Sequence, residues 1–353
     1  MQIFNIYYNI IYTLFAITVF IYATSPKVII AENINKQLII LFSFLFFLVF
    51  GSRAISVGTD TFRYVALLQS NREFKDIGFN IYVNLIRLIS NNERFFLYAL
   101  SFAFMLPICI YFLKIKNENR IILFFIFVSL FSFKNLGINI MRQGIAVSFF
   151  FLSIYFLDKK KNILSLLLCI LSISFQASMI IPVIFYIIST RIKAIIIPIV
   201  CFFIASVLAI LNFDFPQFFK TIPLIGSWSF ITNRLDSIIN SAERVYYYRT
   251  GFRFDFFIYN LFFAILGLFA YKKAITIFSK YKIYLSVYLF ASSIFFLMFK
   301  FPFSDRYGIL SWIFIPFIFL PYVQKEGILN KYGRTFTFLL IIAINIFMSI
   351  IQG

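Results

Sequence analysis

The stretch that decides the fold is residues 37–64, QLIILFSFLFFLVFGSRAISVGTDTFRY. Between Leu38 and Gly51 its only polar side chain is Ser43, and directly after it come Arg53, Asp60 and Arg63. An uncharged run of this kind, extended by flanking residues, reads as a helix crossing a bilayer core of about 30 Å, which takes about 20 residues. The pattern recurs along the chain, at roughly 4–23, 37–51, 95–113, 120–138, 140–157, 163–190, 194–212, 254–271, 281–300, 308–323 and 336–352. Composition agrees: of 353 residues 62% are hydrophobic, 22% aromatic and 13% charged, with 54 Phe and a mean hydropathy of +0.94. Soluble domains are about 45–50% apolar and about 25% charged, so lipid is the natural solvent. The expected fold is all-α: a single polytopic membrane domain, 1–353, with ten to twelve transmembrane helices. The first span lacks a basic leader and a small-residue cleavage pattern, so it is expected to stay as an anchor.

The chain has no histidine, which removes imidazole-based triads, zinc helices and proton shuttles and leaves acid–base work to carboxylates, Lys, Arg or Tyr. Cys109, Cys169 and Cys201 lie inside apolar runs and read as small hydrophobes. Lys114, Lys116 and Arg120, then Lys159, Lys160 and Lys161, then Lys272, Lys273, Lys280 and Lys282, then Lys325, Lys331 and Arg334 mark the cytoplasmic loops. Parity between the second and third of these groups fails if 163–190 is one straight span. With Ser172, Ser174, Gln176 and Ser178 in its middle, that segment is expected to be a broken or re-entrant hairpin.

Laid out in this way, the outer face receives 52–94 as a loop with a surface amphipathic helix near 79–90, the turns near 134–142 and 300–307, and a long Arg- and Tyr-rich loop, 213–253. Eleven of 14 Arg fall outside but only four of 18 Lys, and these 15 cations face nine outer acids. An outer Arg excess opposes the positive-inside trend. Arg grips phosphate or carboxylate in a bidentate fork and tolerates partial burial, so an anionic ligand presented from outside is the expectation, against partial pairing with the outer acids. The net charge of +19 is thus not a nucleic-acid signature.

Residues 121–157 are short for two full spans, so Lys134, Asn135, Asn139, Arg142 and Gln143 cannot all reach bulk water, and Arg142 should face a cavity near the outer surface. In the first outer loop, Gly58 permits a tight turn and Asp60 sits between Arg53 and Arg63, cations that favour its ionised form. No phosphate-binding loop, Asp-x-Asp metal motif or dinucleotide fingerprint occurs, so no cofactor and no metal are expected.

Phe50-Gly51-Ser52-Arg53 leading into Val57-Gly58-Thr59-Asp60-Thr61 with Tyr64, then Gly78-Phe79, then Asn139-Ile140-Met141-Arg142-Gln143-Gly144-Ile145-Ala146 with Tyr155 and the Lys159 cluster beyond, resemble the EpsG family of exopolysaccharide proteins, akin to Wzy-type O-antigen polymerases. The specific motifs cover roughly residues 40–190; beyond them the hydropathy profile and Asp305-Arg306-Tyr307 are similar. Phe175-Gln176-Ala177-Ser178 departs from the Phe-His-x-Ser usual in the family, and Gln176 cannot act as a base.

The resemblance implies a polymerase in the bacterial cytoplasmic (inner) membrane, working on its outer face on undecaprenyl-pyrophosphate-linked oligosaccharides, with a chain-length regulator and a flippase as partners. On that reading Arg142 and Arg306, with Arg53 and the group Arg244, Arg249 and Arg253, hold the pyrophosphate. Asp60 or Asp305 orients or deprotonates the incoming sugar hydroxyl, and Arg63, Tyr64, Asn139, Gln143, Gln176 and Tyr247 line the substrate. A GT-C type glycosyltransferase using a lipid monophosphate donor and a lipid-linked oligosaccharide transporter are the alternatives. A transporter calls for basic residues spread through mid-membrane positions, whereas here they cluster at the outer ends of spans.

Overall fold

The computed structural model describes residues 2–24, 32–70, 76–115, 119–215, 217–218, 250–324, 327–329 and 332–352. Every regular element among them is helical. The chain divides into two compact units, residues 1–183 with 322–353, and residues 184–321.

The first unit contains α1 (Gln2–Thr24), α2 (Glu32–Gly51), α3 (Thr61–Gln69), α4 (Ile77–Ile89), α5 (Glu93–Lys114), α6 (Arg120–Val128), α7 (Phe131–Ile138), α8 (Met141–Asp158), α9 (Asn162–Phe175) and the C-terminal helix Gly333–Gln352. Helices α1, α2 and α5 are each long and apolar enough to cross a membrane. Two ends can be told apart by their polar contacts. At one, Tyr22 donates to Asn119 (3.1 Å), Thr335 to the Ala23 carbonyl (2.9 Å), and Arg120 pairs with Glu32 (3.2 Å). Asn119, Arg120 and Thr335 adjoin the groups that the lysine pattern assigns to the cytoplasm. At the other end the chain passes Arg53, Gly58–Thr61 and Ile138–Arg142.

In lipid, apolar surface gains little by leaving the solvent, so helices associate through close packing and interhelical hydrogen bonds. Both are present. The Phe50 ring fills the notch left by Gly137, where a Cβ would stand 2.5 Å from it, and the Tyr98 ring fills the one at Gly51. Phe15 stacks on Phe42 at 4.2 Å, and Phe46, Phe50, Phe104 and Phe133 form a continuous aromatic cluster; such pairs contribute about 1 kcal/mol each. Ser165 and Ser172 of α9 donate to the Ser153 and Ala146 carbonyls of α8 (2.8 and 2.6 Å), sewing the two helices together.

The expected interruption in 163–190 is present: α9 stops at Phe175, Gln176 is extended (φ −154°, ψ 109°), and a 3₁₀ turn, Ala177–Met179, leads into α10 (Ile180–Arg191). One expectation changes. Residues 120–138 are not a straight span, because α6 and α7 meet at 71° across Ser129 and Leu130. No proline marks this break; it falls where the apolar run 121–128 ends at Ser129, whose hydroxyl hydrogen-bonds to Tyr12 of α1 (3.0 Å).

The second unit holds the remainder of α10 with α11 (Ile196–Ile210), α12 (Phe254–Ile277), α13 (Tyr281–Leu297), α14 (Asp305–Trp312) and α15 (Ile315–Ile318). Its buried polar knot is Asn260, whose side-chain oxygen accepts from Ser292 (3.0 Å) and Ser311 (3.2 Å) while its backbone carbonyl accepts from Tyr288 (2.8 Å). Lys282 donates to the Ile192 carbonyl (2.8 Å), so the C-terminal end of α10 lies beside a lysine of the group expected to be cytoplasmic.

Candidate functional site

Two motif segments 80 residues apart in sequence form one structure at the end of the first unit that carries Arg53. Gly58 turns the chain with φ +90°, in the left-handed region that favours glycine, and a Cβ there would lie 2.5 Å from the Asn139 side-chain oxygen. That oxygen instead accepts from the Thr59 amide at 2.8 Å, while the Asn139 amide donates to Asn135 (3.0 Å). Thr61, at the start of α3, donates to the Ile138 carbonyl (3.1 Å). The Gly-Thr-Asp-Thr turn is therefore fastened to the junction of α7 and α8.

Arg53 is the bolt. Its side chain is buried, with donors directed at the Phe50 carbonyl, the Thr61 hydroxyl (3.4 Å) and the Met141 sulfur (2.9 Å). Burial pulls its pKa down to about 10, which still leaves it charged at neutral pH. Arg142, one residue beyond Met141, is different. It forms an ion pair with Asp76, the residue before α4, and the two side chains keep 20% and 12% of their exposure. Asp76 is held by α4, which docks on α9 where Gly78 meets Ser174 and Phe79 and Tyr82 meet the Phe175 ring.

Around this frame, Asp60 is half-buried and lies 3.5 Å from the exposed Arg63. The Tyr64 ring is buried against Phe79, and Gln143 is buried in the first turn of α8. Gln176 occupies the extended break after α9, partly exposed. A cavity of about 630 Å³ opens beside Arg53, lined also by Gln2, Tyr7, Ser52 and Val57.

The second unit carries its own group at one end. Arg253 and Asp255 pair at 2.6 and 3.0 Å, Lys300 and Asp214 at 3.6 Å, and the Gly251 amide donates to the Phe299 carbonyl (2.9 Å), bringing these strands of chain together. Asp305 opens α14, and Arg306 lies 4.8 Å over the Phe303 ring, whose backbone is left-handed at φ 61°. Arg244, Tyr247 and Arg249 lie outside the described residues, as does most of the loop 213–253.

Sequence reasoning set Asp60 between Arg53 and Arg63; the structure brings Arg63 to it but turns Arg53 to Phe50, Thr61 and Met141, and the pairing of Arg142 with Asp76 was missed. The available signal was position: an acid directly before an Ile-Gly-Phe helix start, in a loop whose other end leads to the same surface. Thr61 and Met141, acceptors for Arg53, also escaped notice.

Chemically, the arrangement presents two carboxylates, Asp60 and Asp76, the partly open guanidinium of Arg142 and the exposed one of Arg63. Such a site can bind an oxyanion and orient a hydroxyl. No match is found among curated proteins or among solved structures. The family model that does match is the EpsG family, over residues 36–351; the chain belongs to the EpsG family.

Proposed function

We propose that this protein is a Wzy-like polysaccharide polymerase that joins undecaprenyl-pyrophosphate-linked oligosaccharide repeat units on the outer face of the bacterial cytoplasmic membrane. The observation that carries the reading is Arg142, fixed at the start of α8 between the Gly58–Thr61 turn and Asp76, partly open and already holding an oxyanion partner. A pyrophosphate oxygen is chemically similar to the carboxylate it would join or displace.

In the proposed reaction the acceptor sugar hydroxyl attacks the anomeric carbon of the donor. The new C–O bond forms as the bond to pyrophosphate breaks, and the lipid pyrophosphate leaves with the electron pair. Arg142 neutralises the charge that grows on it, a type of stabilisation worth about 3 kcal/mol for one donor. Asp60 accepts the hydroxyl proton. Arg53, with its donors directed into the fold, positions Met141 and Thr61 rather than touching substrate.

The test is a gel of surface polysaccharide. Deleting the gene should collapse the ladder to one repeat unit on the acceptor, and Arg142→Ala should do the same while the protein stays in the membrane. Normal chain length in that variant would remove Arg142 from the mechanism. A GT-C type enzyme, which the acid in the first outer loop also suits, would instead lose a single sugar from the repeat unit.

A further inference from the structure

A second polar cavity lies in the first unit, at the bend between α6 and α7. It has a volume of about 550 Å³, and its polar lining comes from Tyr8, Asn9 and Tyr12 of α1, Ser129 and Lys134 at the bend, and Asn345 of the C-terminal helix. Backbone that leaves the helix at membrane depth is tolerated where it lines such a cavity.

The wall is ordered. Asn345 donates to the Tyr12 hydroxyl (2.8 Å), which shares a second hydrogen bond with the Ser129 hydroxyl (3.0 Å). Lys134 stands above it, one donor on the Asn5 side-chain oxygen (2.8 Å) and its ammonium 5.3 and 5.7 Å from the Tyr8 and Phe4 ring centres. All of these partners are neutral. Among the described residues no carboxylate lies within ion-pair distance of Lys134, although an ammonium has three donors to place.

Depth selects the ligand. Asn5 is three residues from the start of α1 and Tyr12 is ten, so at about 1.5 Å per residue the cavity runs from roughly 5 to 15 Å below that end. In a helix of 23 residues that crosses the membrane, this interval runs from just inside the edge of the hydrocarbon, where a lysine side chain can extend to the headgroup phosphates, toward the hydrocarbon centre. The rest of the lining is apolar, Val128, Leu130, Phe131, Met348 and the exposed Ile346, and gives acyl chains a surface on which to lie.

We infer that this cavity binds the phosphate group of an anionic membrane lipid, with Lys134 on the phosphate and Ser129, Tyr12 and Asn345 on the ester groups below. The site is separate from Arg142, and its test does not involve polymerisation.

The full-length protein, purified in detergent, is titrated with dioleoyl phosphatidylglycerol or dioleoyl phosphatidylcholine, and bound lipid is counted by native mass spectrometry. Wild type should retain one phosphatidylglycerol in preference to phosphatidylcholine. Lys134→Gln should weaken that retention about tenfold, the scale of one charge-assisted hydrogen bond. Lys134→Arg should preserve it, and Lys159→Gln should leave it unchanged. If Lys134→Gln fails to fold, Asn345→Leu keeps the cation and should still weaken retention severalfold. Equal retention of the two lipids by wild type, or undiminished retention in a folded Lys134→Gln, overturns the site. Displacement of phosphatidylglycerol by millimolar inorganic phosphate would assign the cavity to a soluble anion and overturn the lipid reading.

Discussion

Arg53 and Arg142 stand at the same end of the first unit, and their surroundings are opposite. Arg53 is buried among neutral acceptors, the Phe50 carbonyl, Thr61 and Met141, and spends its donors on joining three chain segments. Arg142 is partly open and shares its charge with a carboxylate carried by a different helix. A buried cation on neutral partners costs stability if removed, because its acceptors lose their donor. A cation on an exchangeable anion can change partners, and that is what a reaction on a phosphate requires. Two arginines that look alike in the sequence are therefore separated by what they touch.

The comparison can be broken by substitution. The largest effect is expected on turnover: Arg142→Ala should lower polymer formation about a hundredfold or more, read as loss of the long ladder at unchanged protein level, with Arg142→Lys intermediate. Arg53→Ala should act on folding, lowering stability by about 3 kcal/mol and the thermal midpoint in detergent with it. If Arg53→Ala folds normally and only activity falls, the contrast is wrong. Gly58→Ala should cost about 1–2 kcal/mol, since the backbone is left-handed there and the new methyl meets Asn139. The smallest change is expected at Arg63, exposed and 3.5 Å from Asp60, where Ala should alter stability by less than about 0.5 kcal/mol. Combining Arg142→Ala with Asp76→Asn sharpens the contrast further, because the two effects should fall well short of additive.

Much of this was readable in the residues. The apolar runs define α1, α2 and α5 because a helix must satisfy its own backbone in lipid, whatever its neighbours. The interruption at Gln176 was signalled by four polar side chains in seven positions and by loop parity. The bend at Ser129 and Leu130 was not, because the residues leading into it, 121–128, are as apolar as a straight span and no Pro marks the break; tertiary packing chooses the angle. The motif residues Asp60, Asn139 and Arg142 could be singled out, since ionisable or amide groups at the edge of lipid are costly. Partner choice could not: nine outer acids were available, and only the docking of α4 on α9 selects Asp76 for Arg142.

That docking has a mechanical consequence. Helix α4 buries Phe79, Val83 and Ile86 against the protein and leaves Ile77, Ile81, Leu85, Leu88 and Ile89 exposed, so one side is fastened to the fold and the other is an apolar face open to its surroundings. Asp76 is its adjoining residue. In a bilayer, the height at which α4 rides and the position of the carboxylate facing Arg142 are thus a single variable, and bilayer thickness and lateral pressure become forces on that ion pair, delivered along a helix thirteen residues long.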